Sequence, residues 1–294
     1  MSNLAYAQNI DTTPDILNIT QLFSKNPIAA QDYGMPVSHE GKYVDEATYW
    51  RDYYEDDLFR YEWNNGYLEV KEMPTMESSQ NVRWLISILE QFIHVHPLAY
   101  FFIVDIGFKM KFPNRTTIRK PDISLILKNN PNPPNLKDRS YQGIYDMCIE
   151  FISDSRKKYV THDTVTKKKE YGEAKVKEYY IIDTNKTHTS FFRLNRRGQY
   201  DKIKSSNGII CSTVLPGFQF REDDLYNTPD LNSLINDPVY RSFVRVDLQE
   251  AFQAVEIERK AKEDAIRQKT EAEKIIEKER QEIKRLKQLL SEKS

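Results

Sequence analysis

The sequence predicts an α/β (α+β) domain followed by a long C-terminal helix. Three observations carry this. Between residues 45 and 220, short runs rich in aromatic and β-branched residues alternate with segments of helical apolar spacing. An Asn65-Gly66 pair separates Arg60-Tyr61-Glu62-Trp63 from Tyr67-Leu68-Glu69-Val70, a strong short-range hairpin signal. From Leu248 to Ser294 the chain is charged, helix-forming and free of Gly and Pro.

The chain has 294 residues, 30% charged and 39% hydrophobic, with a formal net charge of -1. That length allows one or two domains with a substantial core. No run reaches the ~18 apolar residues of a membrane span, so no membrane association is expected. The N-terminus, MSNLAYAQNIDTTPDI, has no basic region followed by an apolar stretch, so no secretory signal is expected. The two cysteines, Cys148 and Cys211, are too few for a disulfide framework or a Cys-rich zinc site. These features predict a cytoplasmic, reducing setting. The balanced net charge decides nothing about nucleic acid, because a local basic patch is what matters.

Residues 1–44 form an N-terminal arm, expected to be partly disordered, with a short helix around Asp15-Ile16-Leu17 and Gln21-Leu22-Phe23. Asp45 is the expected N-cap of a helix through Trp50 and Tyr54. After the hairpin, Ser78 or Ser79 caps a helix whose apolar face is Val82, Leu85, Ile86, Leu89, Phe92 and Ile93, ending before Pro97. Residues 99–112 alternate well enough to predict one long strand. Residues 119–127 predict a strand led in by Pro121, where the missing N–H does least harm. Pro131, Pro133 and Pro134 make a loop. A central strand over 146–152, a charged helix and a strand over Tyr179–Asp183 follow, then strands at Thr189–Leu194, Ile209–Val214 and Phe218–Phe220. Residues 225–247 read as a linker. In the tail, Val255, Ile276, Ile283 and Leu290 share one seven-residue register, with Ala265, Ala272 and Leu286 on the companion position. Lys262, Lys269 and Glu279 interrupt that seam. The tail is therefore expected to self-associate as a coiled coil in a homo-oligomer, the alternative being a single solvated helix held by Glu/Lys pairs.

The chemistry starts from Glu150, an acid inside the apolar run Cys148-Ile149-Glu150-Phe151-Ile152. A buried carboxylate is costly unless something pairs with it. If strands 119–127 and 146–152 are neighbours, Asp122 faces Glu150, and two carboxylates in contact repel. A hard divalent ion such as Mg²⁺, which takes oxygen ligands, resolves that repulsion. Asp163, Lys167 and Tyr171 are four apart, so each is ~40° round from the last and all share one helical face. Lys167 can then reach over the strand end toward Glu150. Two acids, a metal and a lysine suit phosphodiester hydrolysis. The alternatives are that Asp122 caps a strand and that Glu150 and Lys167 form a structural ion pair. Arg156, Lys157 and Lys158, with Lys167, Lys168, Lys169 and Lys175, are candidate phosphate contacts or else a solvated helix face. His94 and His96 lie two apart and share no face, so they make no zinc site. There is no Gly-rich phosphate loop and no G-x-S-x-G elbow.

Pro121-Asp122, Glu150-Phe151-Ile152-Ser153, Asp163-x-x-x-Lys167-x-x-x-Tyr171 and Glu178-Tyr179-Tyr180-Ile181-Ile182-Asp183, in that order, resemble a large bacterial restriction-endonuclease family, a branch of the PD-(D/E)xK nuclease superfamily. Upstream, Arg60 to Leu68 looks like that family's RYELIDGEL hairpin, followed by Met73-Pro74. The resemblance covers roughly residues 45–224 and leaves both ends outside. It implies a restriction-endonuclease-like central mixed β-sheet flanked by helices, acting as an endonuclease on DNA with Mg²⁺ or Mn²⁺. It further implies that Asp122, Glu150 and the main-chain carbonyl of Phe151 are metal ligands, and that Glu62 is an extra acid. Ile152 stands where the superfamily has its lysine; in this branch the lysine comes from the next helix, which matches Lys167. Lys168 and Lys169 point away from the Asp163–Tyr171 face. The sequence departs from the pattern at Gln80, where relatives often carry His, and at Ser153-Asp154-Ser155-Arg156, where they carry SPST. The spacing to Asp163 is also longer. These departures motivate a second reading, a nuclease scaffold that binds nucleic acid or protein and assembles through its tail.

Overall fold

The computed structural model describes residues 36–103, 105–152 and 156–291. The short helix expected within residues 15–23, and Ser153, Asp154 and Ser155, lie outside them.

Helix α1 (Glu46–Thr48) starts where expected, with the Asp45 carboxylate accepting from the Thr48 N–H at 2.7 Å. It runs on into a π-helical turn, Tyr49–Tyr53. Strands β1 (Tyr61–Asn64) and β2 (Tyr67–Val70) pair antiparallel about the Asn-Gly turn. Asn65 and Gly66 both take positive φ, 48° and 103°, the conformation that such a tight turn demands. A Cβ on Gly66 would also press on the exposed Tyr43 ring, which would have to swing aside. Helix α2 (Met76–Val95) begins earlier than predicted. Its cap is Thr75, whose side chain accepts from the Ser78 N–H at 3.1 Å, while Ser78 is itself helical and buried.

The single strand expected over 99–112 is two strands in two different sheets, β3 (Ala99–Ile103) and β4 (Phe108–Lys111). Between them Asp105 turns the chain with a φ of 56°. The stretch 119–127 is likewise divided, into β5 (Thr116–Arg119) and β6 (Ile123–Leu127), broken at Lys120-Pro121. Strand β7 (Met147–Ile152) is buried at every position. A helical crossover follows: α3 (Lys157–Thr161), a π-helical stretch (His162–Lys167) and α4 (Lys168–Ala174). The crossover returns the chain to β8 (Glu178–Asp183), parallel to β7. Strands β9 (Ser190–Leu194), β10 (Tyr200–Lys202), β11 (Ile209–Cys211) and β12 (Gln219–Arg221) come next, then α5 (Asp224–Asn227) and the long α6 (Val246–Ser291).

The centre is a mixed six-stranded sheet in the order β10-β9-β8-β7-β6-β3, accompanied by a four-stranded sheet β2-β1-β5-β4 and the β11-β12 hairpin. Side chains alternate across β7. Met147, Ile149 and Phe151 face a core built with α2 and the β11-β12 hairpin. Cys148 and Ile152 face a second core, with Tyr171 from the crossover and Phe108 and Met110 from β4. Glu150 has the parity of this second face.

The stretch 225–247, expected to be a linker, is packed. Leu234, Val239, Tyr240, Phe243 and Val244 are buried in the first core, Phe243 with its ring centroid 5.4 Å from that of Phe92. Turns and a 3-10 turn at Leu231–Leu234 carry these side chains inward. Past its first turn, helix α6 is exposed at each described side chain, with Val255, Ile257 and Ile266 at 65–69% of full exposure. Its ion pairs, such as Arg259 with Glu256 and Glu263, lie within the helix. No helix among the described residues is long and apolar enough to cross a membrane.

Candidate active site

Strands β6 and β7 are antiparallel neighbours with Ile123 opposite Ile149, so the next step places Asp122 opposite Glu150. Asp122 Oδ2 accepts from the Phe151 N–H at 2.8 Å, and both carboxylates line one cavity of ≈ 240 Å³. From the crossover, Lys167 Nζ lies 3.0 Å from Glu150 Oε1, 3.1 Å from Asp163 Oδ1 and 3.5 Å from Glu62 Oε1. The Tyr171 hydroxyl donates to the same Glu150 oxygen at 2.8 Å. The four-residue spacing of Asp163, Lys167 and Tyr171 thus does put all three on the face turned to Glu150. Ile152, in the position of the displaced lysine, is core.

Burial pushes the Glu150 carboxyl up to about 8, helped by the negative charges of Asp122 and Asp163, even though Lys167 and Lys71 pull the other way. Burial also works against a charged Lys167, yet Asp163, Glu150 and Glu62 outweigh it and hold the ammonium well above the usual lysine range. The Asp163 carboxyl resists its own burial because Lys167 and His162 pull it down to about 2.

Around this centre lies a ring of charges that the sequence did not single out. Lys71, one residue past β2, is buried and places Nζ 2.8 Å from Asp122 Oδ1 and 2.9 Å from Asp105 Oδ1. Arg119 is fully buried and forks onto Glu170 at 2.7 and 3.0 Å while its Nη1 serves Glu62, at 3.2 Å, and Glu69. His162 Nε2 is 2.9 Å from Glu69 Oε2. One signal was available beforehand. Glu62 and Glu69 are equidistant from the Asn-Gly turn, hence opposite one another in the hairpin. Like charges facing across a strand pair require a cation, and Arg119 supplies it.

Two sets of side chains invite a metal. Glu62, Glu69 and His162 offer ligand atoms within 4.8 Å of one another. The Arg119 guanidinium already holds the Oε2 atoms of both glutamates, however, so this trio has its cation. Asp122 and Glu150 fit better. They present only oxygen donors to a common cavity, from two carboxylates on neighbouring strands, the donor set that a hard divalent cation takes.

The remaining candidates stand apart. Gln80 is exposed and does not line the cavity. Lys168 places Nζ 3.9 Å from the Phe192 ring centroid and does not line the cavity that holds Lys167. The Arg156 guanidinium lies over the Tyr159 ring at 4.8 Å. Lys157 and Lys158 line a neighbouring cavity of ≈ 460 Å³ together with Glu69 and His162.

No curated protein matches the chain. Among solved structures it is similar to one described as a putative nuclease belonging to DUF820 from Anabaena variabilis ATCC 29413. That match has 16% identity and a TM-score of 0.44, covering 57% of this chain and 90% of the other. Residues 47–224 match the Uma2 family model, described as putative restriction endonuclease. That segment holds every strand of the three sheets and the whole charge cluster, and by it the chain belongs to the Uma2 family of nucleases.

Proposed function

We propose that the protein is a divalent-metal-dependent endonuclease that hydrolyses phosphodiester bonds of DNA. The observation that carries the reading is that Asp122, Glu150 and Lys167 line one cavity, with Lys167 Nζ 3.0 Å from Glu150 and, behind it, 3.5 Å from the buried Glu62. Asp122, Glu150 and the Phe151 carbonyl would hold Mg²⁺ or Mn²⁺, which supplies Lewis-acid stabilisation of the phosphoryl oxygen and a more acidic bound water. Lys167 stays charged and presents its ammonium to the negative charge that develops on the phosphate. Glu62 and Asp163 hold that ammonium in place. Tyr171 fixes one Glu150 oxygen, leaving the carboxylate a single orientation. Lys157 and Lys158, on the neighbouring cavity, would meet the phosphates of the bound strand, Lys158 by leaving its ion pair with Glu40.

The test is Mg²⁺-dependent cleavage of duplex DNA by full-length protein. Asp122→Asn, Glu150→Gln and Lys167→Met should each cut the rate by at least about 10²-fold, the scale of losing a catalytic group. Glu150→Gln should keep the fold, since an amide oxygen still accepts from Tyr171. Undiminished cleavage in Asp122→Asn and Glu150→Gln would sink the assignment.

A second reading rests on Lys71. Its ammonium already neutralises Asp122, as expected of a scaffold that binds DNA without cutting it. DNA binding with no Mg²⁺- or Mn²⁺-dependent cleavage would favour it. Helix α6, with its exposed isoleucines, serves in either reading as the element through which copies of the chain assemble.

A further inference from the structure

Lys71 occupies an unusual position for a cation beside a metal site. Its backbone N–H is fixed to the Arg60 carbonyl at 2.9 Å, where β2 ends. Its side chain is 7% exposed, and Nζ contacts three oxygens: Asp122 Oδ1, Asp105 Oδ1 and the Lys120 carbonyl. One of the three belongs to the carboxylate proposed to hold the ion. The other two do not, and they stay available when that one is taken away.

Asp105 is built for this second role. It is a non-glycine residue with φ at 56°, a conformation aspartate tolerates better than most, at the point where the chain leaves β3 for β4. Its carboxylate holds two cations, Lys71 through Oδ1 and Arg60 through Oδ2 at 3.2 Å. Two carboxylates and a main-chain carbonyl thus surround one ammonium, with a second cation, Arg60, on the far oxygen of Asp105. An ammonium and a divalent cation on one partly buried carboxylate repel each other.

On the metal-dependent reading of the site, we propose that Lys71 is a built-in counter-ion of Asp122. It holds that carboxylate neutral until a divalent cation takes its place, and Asp105 then retains the released ammonium. Metal binding by this chain is therefore an exchange of cations, and Lys71 sets its affinity. Asp105 is a positioning residue that makes the exchange possible without leaving a charged lysine unpaired.

Mn²⁺ binding to full-length protein, followed by titration calorimetry, tests this without reference to activity. Lys71→Met should bind Mn²⁺ at least about tenfold more tightly than the parent, because the competing charge is gone. Asp105→Asn should bind about tenfold more weakly, because Lys71 then has Asp122 as its one carboxylate partner. Arg60→Met removes a positive charge from Asp105 without touching Asp122, and should stay within about threefold of the parent. Asp122→Asn should abolish binding in every background.

Lys71→Met binding no tighter than the parent, while Asp122→Asn still abolishes it, overturns the counter-ion role and leaves the metal site standing. An equal gain in Arg60→Met also overturns it, since a general field effect would then suffice. Absence of Mn²⁺ binding from both the parent and Lys71→Met overturns the metal site and the exchange together. If Lys71→Met does not fold, Asp105→Asn decides: weaker binding supports the exchange, and unchanged binding refutes it.

Discussion

Replacing Arg119 by Met is the most demanding test of how this fold tolerates its charges. Arg119 has 0% side-chain exposure and lies against Glu62 at 1%, Glu170 at 4% and Glu69 at 25%. Removing one partner of a buried ion pair typically costs about 3–5 kcal/mol, because the other charge is left without compensation. Here two nearly inaccessible carboxylates lose their fork at once, so the loss should reach at least that range, against a typical total stability of about 5–15 kcal/mol. In urea, with a slope near 2 kcal/mol/M, the unfolding midpoint should fall by about 2 M. The effect should depend on pH. Burial raises the Glu62 and Glu69 carboxyls, but their cationic neighbours, Arg119 among them, more than reverse this and hold both below the usual range. Stability from a depressed carboxylate is present above its unfolded pKa of about 4.3 and is lost as pH falls through the folded value. Without Arg119 that contribution shrinks, so the gap between parent and variant should be full above about pH 4.3 and narrow as pH falls below it. A midpoint shift under about 0.5 M at pH 7, or a gap that does not vary with pH, would falsify the view that Arg119 compensates these acids.

Two further outcomes follow from other parts of the molecule. Hydrogen bonds to Asp163 and Glu69 outweigh burial and raise the His162 imidazole. A raised histidine contributes stability that is complete below its unfolded pKa of about 6.5 and is lost as pH climbs through the folded one. His162→Gln should therefore flatten the decline in melting temperature above about pH 6.5, and an identical pH profile in the variant would refute the coupling. Deleting residues 248–294 should leave the melting temperature of the domain within about 2 °C, because most of α6 makes no contact with the core. The same deletion should lower the mass found by light scattering, and an unchanged mass would count against assembly through the tail.

Local signals in the sequence located much of this structure. Asn65-Gly66 marked the hairpin, the 3.6-residue spacing from Val82 to Ile93 marked α2, and the four-residue spacing of Asp163, Lys167 and Tyr171 marked the helical face that meets Glu150. What escaped was of two physical kinds. The first is convergence between distant segments. Lys71, Asp105, Arg119 and Glu170 come from separate elements, and no period in the chain announces that they will meet. The second is irregular structure that buries side chains. Residues 225–247 carry Leu234, Val239, Tyr240 and Phe243 into the core on turns, so neither a helical nor an alternating pattern appears. The break between β3 and β4 escaped because alternation continues across it while the chain changes sheet.

The over-wide turn from His162 to Lys167 has a consequence for which changes the site tolerates. A π-helical turn holds one residue more than the α-helical turn it interrupts, and such bulges are frequent at functional sites. Val165, 60% exposed on the outside of that bulge, is the natural residue to remove. Its deletion would restore a regular helix and turn everything on one side by about 100° relative to the other. Lys167 and Tyr171 could keep Glu150, or His162 and Asp163 could keep Glu69 and the lysine, but one helix face could no longer serve both strands. In the widened turn His162 meets Glu69 while Asp163 and Lys167 hold each other beside Glu150, so deletions across 162–167 should be tolerated far worse than substitutions at Val165.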